Sequence, residues 1–498
     1  MSDAGAYRLT RERNRHVRAR PWKNVKGQAG RGQAKQEVID AGADQAAAAE
    51  TRPISAPPGK AAQFIKQTAV RVAGLPWLAI IFMISIMAPI TVRAGPVLLL
   101  PYRMVLLALF FPLLIRWLMG KAGPILLMDK LMMFSAGWAV LALAMNHPLG
   151  QVIEPIGIHT VEFFGAYMLG RVSIQSGADF RKFARVMFLI ALVLFPLAAL
   201  ESVTGRPIAL DLVPNSISHV NIGARWGLRR AQTFFSHPIH HGTFVSTVVG
   251  LAWFSFNYSS GFMGRVIRLG VVCVCTAFSM SSGALMAMVF QLIFIGWELV
   301  LRPHPKRWTI FAWLCVAGYV VVDLFSSRTP FHVVVNYATF SSGSAYNRIL
   351  IWNYGTDNVW ANPLFGLGLN DWIRPSYMSS SVDNFWLLIA MKYGLPASLA
   401  FMAAILLIVR RVSLAPLTDL VDRAGRAGYL VSLGGVVLAG ATVHYWHGIG
   451  AFVLFFMGTG VWAAQSFGAP PAPPDPDLTT DATTDPVKPA PPSRRRPA

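Results

Sequence analysis

Three stretches of the chain carry side chains suited to anion and glycan chemistry. The first runs Arg225-Trp226-Gly227-Leu228-Arg229-Arg230 and continues to His237-Pro238-Ile239-His240-His241-Gly242, where an apolar segment opens. Arginine suits phosphate because its planar fork donates parallel hydrogen bonds and stays charged. The alternative is that these arginines anchor to lipid headgroups, which fits Arg225 and Arg229 better than Arg230, the one nearest the His-Pro start. In the second stretch, Arg348 and Trp352 are four residues apart and share one face of a short helix. That face could pair a phosphate clamp with a ring for stacking a sugar, or it could simply pack on the bilayer surface. In the third, Asp383-Asn384 precedes an apolar segment broken by Gly394 and Pro396. Asp383 there is either a helix N-cap or a general base that takes a proton from an acceptor group. His237, His240 and His241 are the other candidates for that proton.

The elements that must position these groups follow from composition. Of 498 residues, 54% are hydrophobic and 13% charged, yet the net charge is +21, from 44 Lys+Arg against 23 Asp+Glu. A nucleic-acid binder would be more polar, and soluble domains carry about 25% charged residues. A polytopic membrane protein with its cations on one side reconciles the two numbers. Cys273, Cys275 and Cys315 lie in apolar runs and read as small fillers, with no disulfide or metal spacing. No His/Asp/Glu cluster has metal-ligand spacing either, so neither a metal nor another cofactor is expected.

The expected fold class is all-α, a transmembrane bundle of about twelve helices over residues 75–465. The apolar segments fall near 75–92, 97–115, 131–146, 155–170, 186–203, 238–257, 267–281, 284–301, 309–325, 393–409, 428–443 and 448–465. With the N-terminus inside, 34 of the 44 basic residues fall on the inner side and ten do not, as the positive-inside rule requires. Both termini are then cytoplasmic. Residues 1–74, basic and rich in Ala and Gly, and 466–498, with ten prolines, are expected to be disordered tails. Outer loops are expected at about 204–237 and 326–392, and the second is long and aromatic enough to fold as a cap. Arg103, Glu162, Asp323 and His444 are polar residues at membrane depth, and such groups face a bundle interior or a cavity. Whether Arg103 pairs with Glu162 is open from sequence.

In the stretches Arg230–Gly242, Asn347–Gly368 and Asp383–Gly394, and in its twelve segments with a large outer loop near the end, the chain resembles the O-antigen ligase/O-antigen polymerase superfamily. The resemblance implies transfer of a glycan from an undecaprenyl-diphosphate carrier to an acceptor hydroxyl at the periplasmic face of the bacterial inner membrane. It implies diphosphate binding by Arg230 and Arg348, with Arg229 beside them. Asp383 and His237 are then the catalytic candidates, and Trp352 and Asn384 the glycan-binding ones. Where the ligases carry a His-Asn pair, this chain reads Asp383-Asn384, and Ser281-Ser282-Gly283 stands where many relatives read Ser-Arg-Gly. The first departure favours a polymerase of exopolysaccharide or O-antigen over a lipid A-core ligase. The expected partners are the lipid-linked glycan, membrane lipid and other polysaccharide-assembly proteins, with no nucleic acid. The rival reading is a lipid-linked oligosaccharide flippase or another polysaccharide transporter, which would show charges along a central path and repeats.

Overall fold

The apolar runs form helices because unbroken apolar backbone at membrane depth must satisfy its own hydrogen bonds. The computed structural model describes residues 76–94, 97–213, 220, 223–256, 261–326, 333 and 342–465. These all belong to one unit spanning residues 69–498. The expected tails, 1–74 and 466–498, lie outside the described residues.

Helix α1 (Pro76–Met87) leads into an antiparallel hairpin of β1 (Val92–Ala94) and β2 (Val97–Leu99), with Val92 opposite Leu99. Then follow α2 (Pro101–Leu118), α3 (Leu127–Asn146) and α4 (Leu149–Thr160). A π-helical turn (Val161–Gly165) joins α4 to α5 (Ala166–Ser173). Next come α6 (Gly177–Thr204), α7 (Ile208–Asp211), the short pair α8 (Pro238–Ser246) and α9 (Val248–Phe254), α10 (Phe262–Ala277), α11 (Ser282–Val300) and α12 (Arg307–Phe325). The last group is α13 (Ser342–Ala361), α14 (Phe385–Ser413), α15 (Leu420–Gly440), α16 (His447–Thr459) and α17 (Val461–Ala464).

Each of the twelve expected segments is helical over most of its length. Seven of the described helices are long and apolar enough to cross a membrane by length and composition. The stretch His447–Ala464 is the centre of the bundle, with 94% of its window buried, whereas α12 has 0% buried and stands at the periphery. Phe82, Phe180, Phe244, Phe452, Phe455 and Phe456 fill the fully buried core.

Of the segment 326–392, expected to be an outer loop, the part from Ser342 onward is folded. Helix α13 packs on α14 through a second apolar cluster that includes Ile351, Val359, Trp372, Val382 and Leu387. Helix α14 begins at Phe385 rather than near 393, because Asn384 caps it: its Oδ1 accepts from Leu387 N–H at 3.1 Å. Lys392, expected in the loop, is therefore helical.

Helix α14 is broken at Gly394, whose φ of 81° and ψ of 173° are not helical. Segment 363–369 enters the break. Leu367 N–H donates to Met391 C=O (2.7 Å), Gly368 N–H to Lys392 C=O (2.9 Å), and Leu395 N–H to Pro363 C=O (2.7 Å). A Cβ on Gly394 would collide with the Leu364 carbonyl, so only glycine fits. The same segment is tied to the end of α3, where Asn146 Nδ2 donates to Phe365 C=O (2.9 Å) and Leu369 N–H donates to His147 Nε2 (2.8 Å).

At the opposite end of α3 a buried charge network holds the bundle. Asp129 accepts from Tyr167 Oη (2.6 Å) and Leu126 N–H (2.8 Å), and Arg171 Nε lies 3.5 Å from its Oδ1. Arg171 also donates to the carbonyls of Ala122 and Pro124, and both charged side chains are fully buried. Arg171 counts as an inner cation in the charge tally, yet it serves packing rather than solvent. Removing one partner of such a pair strands the other, at a cost of about 3–5 kcal/mol. Asp129→Ala is therefore expected to lower the melting midpoint of the purified protein sharply, and an unchanged midpoint would contradict this role.

Candidate functional site

The turn between α10 and α11 is tight because Ser279 Oγ donates to Thr276 C=O at 2.7 Å and Met280 takes a left-handed φ of 45°. Three guanidinium groups converge on it. Arg225 Nη1 donates to Met280 C=O (2.6 Å), Arg230 Nε to Ser279 C=O (3.2 Å), and Arg348 Nη2 to Ser282 Oγ (3.0 Å). Arg348 Nε also reaches Thr442 C=O at 3.1 Å. The two loops expected on one side of the membrane thus bring Arg230 and Arg348 to one place. Arg225, which sequence assigned more readily to headgroup anchoring, joins them.

The loop that carries Arg230 is fixed from behind. Glu201, buried near the end of α6, accepts from Gln232 N–H (3.1 Å) and Thr233 N–H (2.8 Å), and Ala231 N–H donates to Phe278 C=O (2.9 Å). Gly242 on α8 lets the turn approach, because a Cβ there would collide with Ser279 Oγ. Nothing in the spacing of Glu201 pointed to this role, since its partners are backbone groups about thirty residues on.

The electrostatics are those of concentrated positive charge. Burial and the charge of Arg225 bring the Arg230 pKa down to about 10. Burial also lowers Arg348, with Asp383 opposing that shift and Arg225 adding to it. Arg348 Nη1 is buried and has no hydrogen-bond partner among the described residues. A buried guanidinium donor left unpaired is costly, so this one is available to an incoming acceptor.

Asp383 feels the charge of Arg348 in this cluster. It is half-buried, accepts from Ser381 Oγ at 3.3 Å, and does not cap α14, since Asn384 does. Burial raises its pKa above the ordinary carboxylate value, with Arg348 and the Ser381 hydrogen bond pulling the other way. Asn384 has spent its carbonyl oxygen on the cap. His237 caps α8, its Nδ1 accepting from Ile239 N–H at 3.1 Å. Burial and the charge of Arg230 lower its pKa to about 4, so at neutral pH the ring is neutral with its proton on Nε2. It can donate a hydrogen bond from that nitrogen but cannot accept a proton there.

The remaining candidates are placed elsewhere. Arg229 is exposed, with its stem over Gly205 at the end of α6 (Cγ 3.2 Å from a Cβ built there), so the structure does not bring it to the turn. Its backbone pairs with Ser202 and thereby turns its side chain away from that of Arg230. Trp352 stays on the surface of α13, 41% exposed. His240 and His241 are buried in α8, with Ser236 Oγ 2.9 Å from His240 Nδ1 and Thr233 Oγ1 3.1 Å from His241 Nδ1. The pair left open by the sequence, Arg103–Glu162, is formed at 2.8 Å. Among the described residues no group of three or more His, Cys, Asp or Glu is placed to hold a metal. The three cysteines are unpaired; Cys275 is buried and Cys315 is exposed on α12.

Fold and site together define a multi-pass helical membrane protein in which three arginines converge on one interhelical turn. Residues 269–402 match the family described as O-antigen ligase, which supports an O-antigen ligase/polymerase-like family and a function of that general type. The matched stretch contains the Ser279–Ser282 turn, Arg348, Asp383 and Asn384, while Arg225, Arg230 and His237 precede it. No curated protein matches the chain.

Proposed function

We propose that the protein polymerises or ligates undecaprenyl-diphosphate-linked oligosaccharides at the periplasmic face of the bacterial inner membrane, in exopolysaccharide or O-antigen synthesis. Both tails are then cytoplasmic. The observation that carries this reading is the convergence of Arg225, Arg230 and Arg348 on one turn, with Arg348 Nη1 unpaired among the described residues and the Asp383 carboxylate near enough to feel the Arg348 charge.

In the reaction, the acceptor hydroxyl oxygen bonds to the anomeric carbon as the bond from that carbon to the carrier's phosphate oxygen breaks. The electron pair leaves on the diphosphate, where the fixed guanidinium groups stabilise it without reorganising. The hydroxyl proton passes to the Asp383 carboxylate, and one displacement inverts the anomeric carbon. His237 Nε2–H serves as a hydrogen-bond donor beside the diphosphate. Asn384 Nδ2 and the Trp352 ring remain for glycan contact.

The test is transfer by the purified protein in lipid vesicles that contain a lipid-linked repeat unit. Longer glycans on the carrier, or on an added acceptor, are expected. Movement of intact units across the bilayer with no new glycosidic bond would instead favour the flippase reading.

A further inference from the structure

A cavity of about 360 Å³ is separated from His237 by the Trp446 ring, and none of the three arginines lines it. Two of its walls are places where helices are irregular. One wall carries His159 and Glu162, at the π-helical turn between α4 and α5. The other carries Lys392 and Tyr393, directly before the break in α14. The walls meet where Tyr393 Oη lies 3.2 Å from His159 Nδ1. Irregular backbone at membrane depth persists where it is buried or lines a cavity, and helix breaks and π-turns concentrate at ligand sites.

The charge inside is unbalanced. Glu162 is taken by Arg103 Nε (2.8 Å) and Tyr102 Oη (2.7 Å). Lys392 is half-buried; its carbonyl accepts from Gly368 N–H, but its ammonium has no hydrogen bond or ion pair among the described residues. Its neighbour His444, in the turn before α16, is held neutral by burial and by the charges of Lys392 and His447, with a pKa of about 4. The rest of the lining is mostly apolar, as with Leu388, Ile389 and Leu454. A compact ammonium without a counter-ion, set in apolar walls, suits the phosphate of an amphiphile.

The cavity adjoins the first site through Trp446 and Phe385. The Trp446 ring lies 4.2 Å from that of His240 and 5.2 Å from that of His237 on one side, and 5.5 Å from that of His444 on the other. Phe385 lines the cavity two residues after Asp383.

We propose that this cavity is a second phosphate subsite, in which Lys392 holds the phosphate of a lipid-linked molecule bound beside the first. Its assignment to the acceptor rests on the glycosyl-transfer reading. In chain extension one lipid-linked glycan gives up its diphosphate while the other keeps its own, so two carriers are bound at once.

The test is equilibrium binding of radiolabelled dodecyl phosphate to the full chain in phosphatidylcholine nanodiscs, with inorganic phosphate as competitor. In an Arg230→Ala/Arg348→Ala background, which removes the first site, binding is expected to persist. Lys392→Met is expected to weaken it about tenfold or more, and Lys392→Arg to restore most of it. Leu388→Trp, which fills the cavity, should weaken it as well. Melting curves identify any variant that fails to fold, and Lys392→Arg supplies the folded comparison. Binding that is lost with the two arginines, or that is indifferent to Lys392→Met in folded protein, overturns the subsite. Displacement by inorganic phosphate at equal concentration overturns the lipid-linked source. Lys392-dependent binding in a protein that makes no glycosidic bond supports the subsite and sinks the glycosyl-transfer reading alone.

Discussion

Arg348→Ala is expected to lower glycan transfer by about 10²–10³-fold, the usual cost of removing one preorganised donor from a developing negative charge. The argument rests on where this guanidinium stands. It is buried, its Nε and Nη2 are fixed by Thr442 C=O and Ser282 Oγ, and its Nη1 is unpaired among the described residues. Two donors thus set the direction of the third. Arg348→Lys keeps the charge but not the fork, so it should recover only part of the loss. Transfer within a factor of about three of wild type in folded Arg348→Ala protein would remove this residue from the diphosphate site.

Asp383→Asn is expected to cost about 10²–10⁴-fold, the range for loss of a general base. Asn is nearly isosteric and leaves the Asn384 cap untouched, so the loss should fall on turnover rather than on binding. The pH profile separates this role from a structural one. Burial raises the Asp383 pKa, and the base works when ionised, so the rate should rise with pH along a limb above the ordinary carboxylate range. Arg348 opposes that rise in pKa, so the residual activity of Arg348→Ala should have its limb at still higher pH. A limb that stays in place in that variant, or a flat profile in wild type, would remove Asp383 from the proton transfer.

The bundle was legible because hydrophobic runs of near-membrane length leave the backbone few choices, and each of the twelve became helical. Arg230 and Arg348 were singled out for a related reason: charge bias accounts for the cations expected inside and leaves the few expected outside unexplained. Arg229 has the same residue type and adjoins Arg230, but the pairing of its backbone with Ser202 turns its side chain away, and composition carries no sign of that. Lys392 was placed at the end of the loop because the apolar run was begun at 393, directly after it. The real start is set seven residues before Lys392 by the Asn384 cap, with Gly394 as an internal break. Glu201 and Trp446 had no signal at all, since each acts through groups brought near only by the fold. The tautomer of His237 likewise follows from its cap on Ile239, which spacing alone does not reveal.

The strand of chain stitched into the gap of α14 also restricts traffic. Leu367, Gly368 and Leu395 each donate a backbone hydrogen bond across that gap, and Asn146 and His147 fasten the same strand to α3. Lifting it would leave several amides and carbonyls bare in an apolar setting, at about 1–3 kcal/mol apiece. This part of the roof is masonry, not a hatch, so under the proposed transfer reaction a long lipid-borne substrate would come and go through the flanks instead.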